Sequence, residues 1–187
     1  MGYMENLRLS WDLFVLVFFG VVIAYSFIIG RNQTIKVLIS TYMAIFTADG
    51  IGNLIQTYIL PTAPSLQGEA GLQALVLVKI FIFVLVIVLL AIKGAFSVNI
   101  LSENSAVTRI LTNLSFGLLN AGLMVSTLLV YLTGGSFVTG TVYTSLQTNL
   151  YAQSQFIQAI VDHYNVWFAL PAIAIVMASF FQAQDEL

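Results

Sequence analysis

The chain contains no cysteine, a single histidine, three prolines and very little charge. Each shortage excludes something. Without cysteine there is no disulfide, no iron–sulfur cluster and no thiolate metal site. With His163 as the sole histidine, a multi-histidine metal centre within one chain is excluded. Charged residues fill 7% of the 187 positions, against about 25% in soluble domains. The net charge of −2 gives a nucleic acid nothing to bind. There is no nucleophile elbow, no HExxH, no phosphate loop and no glycine-rich dinucleotide turn followed by an acid. No enzyme activity, cofactor or metal is expected.

What the chain has is apolar surface: 59% of its residues are hydrophobic. One soluble core of this length could not hide that much, so the bilayer must serve as solvent. The expected fold is an all-α integral membrane protein. It has four to five transmembrane helices plus an amphipathic interfacial helix, in a single polytopic domain over 1–187. Span 1 covers about 11–30, with Trp11 as an interfacial aromatic and Asp12 as a helix-start acid. The run is too long for a cleavable signal and reads as a permanent span. Span 2 covers 34–60 and stops at Pro61 and Pro64. Span 3 covers 72–93, nearly all Val, Ile, Leu and Phe, and ends at Lys93-Gly94. Span 4 covers 109–132 and ends at Gly134-Gly135.

In 136–162, Val142, Leu146, Leu150, Ile157 and Val161 recur at helical spacing among Gln, Asn, Ser and Thr. That pattern predicts an amphipathic helix, too polar to cross, lying on the membrane or against the bundle. The last apolar segment, 164–181, carries Trp167 and Pro171. A kinked span, a tilted interfacial helix and a helix buried against the others all fit it. With the N-terminus outside, Arg31, Lys36, Lys93 and Arg109 fall inside and only Arg8 outside, which sets the expected orientation.

Two charges lie within the apolar runs, Asp49 in span 2 and Lys79 in span 3. A charge at bilayer depth costs about 2.5–3.5 kcal/mol on insertion scales. Asp49, Asn53 and Gln56 share one helix face. Counting from the short loop between spans 2 and 3 puts Asp49 and Lys79 within about 5 Å of the same depth. Asn120 of span 4 falls at a comparable depth. Asp49, Asn53, Gln56, Lys79 and Asn120 are therefore the expected intramembrane polar network. Three readings stay open. The pair is a buried lock on helix register, or Asp49 lines an aqueous path, or Lys79 snorkels outward and Asp49 meets another subunit.

Ala44, Ala48, Gly52, Gly117 and Ala121 are expected packing positions, since small residues let helices approach. Gly20 with Ala24, Ser26 with Gly30, and Gly122 with Ser126 read the same way. Asp162-His163 reads as an interfacial helix end. The fourteen Phe and eight Tyr are expected mostly in lipid or in interfacial belts.

Two places carry a family resemblance. One is the first span, opened by Asp12 and closed by Ile28-Ile29-Gly30-Arg31-Asn32. The other is the start of span 4, from Val107-Thr108-Arg109 through Ser115-Phe116-Gly117 to Asn120. These resemble the colicin V production protein family of bacterial inner-membrane proteins, over about 11–165. Asn32 stands where that family usually has Gly, and Asn120-Ala121 where Arg-Gly is frequent. The segment 164–181 extends beyond its typical four spans. The resemblance implies a role in toxin production or export and envelope homeostasis, and no catalytic residues.

The expected function is that of a non-enzymatic membrane protein acting through helix–helix or partner association. Its expected partners are the lipid bilayer and either further copies of itself or a larger membrane complex. The alternative is a channel or ion-coupled transporter subunit with Asp49 on the conduction path. The expected location is the bacterial cytoplasmic membrane.

Overall fold

The computed structural model describes residues 11–63, 68–94, 106–139 and 155–185, and every regular element among them is a helix. Helix α1 spans Trp11–Ile29, α2 Arg31–Leu54, α3 Glu69–Lys93 and α4 Ala106–Leu132. A short helix α5, Gln155–Asp162, and α6, Tyr164–Asp185, follow. At about 1.5 Å per residue, α3 and α4 reach roughly 38–40 Å, more than the ~30 Å hydrocarbon core. Among the described residues, four helices are long and apolar enough to cross a membrane.

These four are not equivalent. Within their most apolar windows, α2 and α4 are 61% and 67% buried, and α1 and α3 only 11% and 17%. The two helices richest in Ala, Gly, Ser and Thr therefore form the centre, and the two of highest hydropathy flank it. α2 packs chiefly on α3, and α1 on α4. Leu77, Phe81, Leu89 and Ile92 on α3 face outward, where lipid would solvate them.

The end of α2 is irregular. Five residues, Ile55–Ile59, form one π turn, and Leu60–Thr62 a turn of 3₁₀ helix. Pro61 has no N–H to continue the ladder and its ring crowds the preceding turn. The Leu60 N–H reaches back to Ile55 O instead. The start of α2 lies at Arg31, three residues before the expected Thr34.

Helix α4 stops where Gly134 takes φ +77°, a left-handed conformation that favours glycine. The N–H of Gly134 bonds Tyr131 O at 2.8 Å, and that of Gly135 bonds Val130 O at 2.8 Å. This is a Schellman stop, and it turns the chain back toward the helices.

The segment 136–162 differs from its predicted single helix. Ser136 is buried, residues 137–139 form a turn, and 155–162 are helical. Val142, Leu146 and Leu150 lie outside the described residues. On α5, Ile157, Ile160 and Val161 pack against Val15 of α1 and Val125 and Leu129 of α4. The expected amphipathic face is thus turned onto the protein. Helix α6 is continuous through Pro171 and packs along the centre of the bundle. Its Trp167 ring faces Gly122, the Phe168 carbonyl accepts from the Tyr42 hydroxyl, and Ala178 joins Ile35, Leu38 and Phe116. It runs along α4, with one side on the other helices and Leu170, Ile173, Val176 and Phe180 exposed on the other.

Most predicted small-residue contacts are present. A Cβ on Gly117 would sit 3.0 Å from Ser26 Cβ. Ala44, Ala48 and Ala121 are fully enclosed. Gly20 and Gly30 are exceptions: a Cβ at either meets nothing within 4 Å, and Gly20 and Ala24 are exposed.

Candidate functional site

The candidate site is built around Asp49, two turns before α2 loses its regular ladder. Its side chain is fully buried. Oδ1 accepts from Lys79 Nζ at 3.1 Å. Oδ2 accepts from two consecutive backbone N–H groups, Phe137 at 2.8 Å and Val138 at 3.1 Å. Three donors on α3 and the returning segment thus converge on one carboxylate.

Lys79 reaches it from α3 across Gly52. A Cβ on Gly52 would come within 2.9 Å of Lys79 Cγ and would meet Cε as well. Glycine there opens the channel through which the lysine stem passes. The ammonium also donates to Gly135 O at 3.3 Å and stands 5.6 Å from the centroid of the Tyr131 ring. The ring face adds a cation–π attraction. The Tyr131 hydroxyl donates to Ile45 O at 3.2 Å. Lys79 is 3% exposed, which rules out snorkelling within this chain.

The returning segment is shaped for this contact. The Schellman stop leaves Gly135 O directed at Lys79 and brings the 137 and 138 N–H groups to Asp49. Thr139 N–H donates to Ser136 Oγ at 3.3 Å and closes the turn. Non-helical backbone has no ladder of its own, so it survives in a bundle only where side chains or ions satisfy it. Asp49 does so here.

A wall of rings covers the site. Phe83 meets the Tyr131 ring edge-on at 5.9 Å, and Tyr131 meets Phe137 at 6.3 Å. Phe137 stacks on Phe168 at 5.1 Å, and Phe168 meets Tyr42 at 5.3 Å. The aromatic residues predicted for lipid or belts therefore also include an inner group. Excluding water strengthens each polar contact they enclose.

The expected polar network divides in the structure. Asp49 and Lys79 come together. Asn53 and Gln56 share the helix face but lie beyond the pair, half-buried, and neither hydrogen-bonds to it. Asn120 is buried elsewhere, its Oδ1 3.4 Å from the Thr41 hydroxyl, two turns from Asp49. That hydroxyl already donates to Val37 O at 2.9 Å. The contact is therefore satisfied with the amide nitrogen turned toward Thr41. His163 lies at an exposed helix end, with Nδ1 2.9 Å from Ala159 O. Among the described residues no three His, Asp or Glu side chains gather as metal ligands.

Sequence reasoning missed Tyr131, Gly135 and the backbone of Phe137 and Val138. The double glycine after α4 was the one available signal. It announced a stop but not a return.

No protein-family model, no curated protein and no solved structure matches this chain.

Proposed function

We infer that this chain is a non-enzymatic membrane protein that works by association with other helices, its own copies or a partner protein. It sits in a bacterial cytoplasmic membrane with the N-terminus outside and α6 as a fifth crossing. One observation carries the reading. Asn53 and Gln56 are half-buried on the last turns of α2, beside outward-facing Ile51, Leu54 and Tyr58, and Asp49 does not engage them. Amide groups at an apolar surface are costly without partners, and an adjoining helix supplies them. The resemblance to the colicin V production family adds export or envelope homeostasis as the setting.

The chain has no cysteine, so one introduced thiol reports one position. Gln56→Cys is expected to cross-link into a larger species in native membranes, and Leu89→Cys on the outer face of α3 is not. Equal cross-linking at the two positions would refute the reading.

A second reading has its own support. Non-helical backbone at an intramembrane ion pair, next to a break in α2, is the arrangement that ion-coupled transporters use. It requires ion flux in reconstituted vesicles that Asp49→Asn abolishes. Flux equal to that of empty vesicles under several gradients rejects it.

A further inference from the structure

The opposite end of the bundle holds an open cavity of about 440 Å³, lined by Phe27, the Gly30–Gln33 turn, Arg109, Ile110 and Asn113. Four observations define what it takes. First, it is basic: Arg31, mostly buried, and Arg109, exposed, both line it. Second, the N-terminus of α2 opens onto it. The cap residue is Gly30 at φ +78°, with no side-chain cap. The first bond of the α2 ladder is Thr34 N–H to Gly30 O at 3.0 Å. The N–H groups before it lie outside the ladder, at the positive end of the helix dipole. Third, Asn113 is 7% exposed and its Oδ1 is buried with no hydrogen-bond partner. The cavity wall thus carries a nearly buried amide side chain whose hydrogen-bonding capacity the protein does not fill. Fourth, the mouth is apolar on one flank, where Phe27, Ile28, Val107 and Ile110 are all exposed.

We propose that this cavity binds the phosphate of an anionic glycerophospholipid headgroup. The phosphate meets the arginines and the start of α2, where anions are favoured. The acyl chains lie along the exposed apolar flank of α1 and α4. A free phosphate ester shares the anion chemistry but has no use for that flank. The elbow that frames the cavity is braced: Thr34 Oγ1 donates to Gly30 O at 3.0 Å and lies 3.3 Å from Ser26 O. The proposal is independent of the association reading, since it uses none of the residues at the Asp49 end.

The full chain in detergent is titrated with phosphatidylglycerol, with phosphatidylcholine of the same acyl chains, and with inorganic phosphate. Bound lipid is read by native mass spectrometry and phosphate by thermal shift. Phosphatidylglycerol is expected to bind about tenfold tighter than phosphatidylcholine. Exposed Arg109→Gln should lower that affinity about tenfold, the size of one lost charge-assisted hydrogen bond. Lys93→Gln, an exposed basic residue at the end of α3 outside the cavity, should stay within about twofold of the parent. Equal loss in the two variants would reduce the effect to general charge and overturn the site. Equal binding of the two lipids overturns it also. Protection by inorganic phosphate without a preference between lipids would move the cavity to soluble phosphate esters and overturn the lipid assignment.

Discussion

The two ends of the central helix pair handle charge in opposite ways. At the far end of α2 a carboxylate, an ammonium and three backbone groups close on one another, beneath a wall of rings. At its near end, two arginines and an uncapped helix start line an open cavity. The first arrangement supplies its own partners and fixes where α2, α3 and the segment after α4 sit. The second has the exposed Arg109 at the edge of an open cavity. An intramembrane charge is thus a poor guide to function by itself. What distinguishes the two ends is whether the charge is enclosed by protein or opens onto a cavity.

The sharpest way to break this contrast is Lys79→Met. It leaves Asp49 buried without its counter-charge, and removing one member of a buried pair costs about 3–5 kcal/mol. Unfolding of the purified protein in mixed micelles should show that loss. Adding Asp49→Asn to Lys79→Met should restore part of it, because the amide oxygen still accepts from residues 137 and 138. If the single substitution is silent, the far end is not a lock. Gly52→Val tests the same end more gently. It obstructs the lysine stem without touching a charge, and overpacking of this kind costs about 1–3 kcal/mol. The smallest effect belongs to the near end. Arg109→Gln, despite its expected loss of lipid affinity, should change unfolding free energy by no more than about 0.5 kcal/mol, as an exposed substitution does. A large destabilisation there would make the two ends alike.

How far the sequence disclosed this depends on what joins the parts. Asp49 and Lys79 belong to consecutive antiparallel helices with a short connection, so counting residues from the turn places both. Asn120 belongs to a helix reached through a longer connection, and counting cannot fix its height. It faces Thr41 instead. Asn53 and Gln56 share the face of Asp49, but helical spacing says nothing of how far along that face the neighbouring helix stays close. Phe137 and Val138 act through their peptide N–H groups, which no side-chain pattern records. The cavity had a fainter signature. Arg109 and Asn113 stand four apart on one face of α4, and Gly30 occupies a position where Ser, Thr, Asp or Asn would have capped α2. The four apolar spans were the easiest part to read, because their length and lack of charge are set by the bilayer itself.

The return of the chain after α4 also orders events in time. Lys79 follows Asp49 by 30 residues, whereas the Phe137 and Val138 donors follow it by 88 and 89. At about 5–20 residues per second, a ribosome adds those 88 residues in roughly 4–18 s. The Asp49–Lys79 pair is therefore complete in sequence with the α2–α3 hairpin, one oxygen engaged, while the second oxygen waits for peptide groups not yet made. The last turn of α4 must be wound and stopped before they arrive. The carboxylate thus serves as a latch, set early in biogenesis and fastened only once the fourth helix is complete.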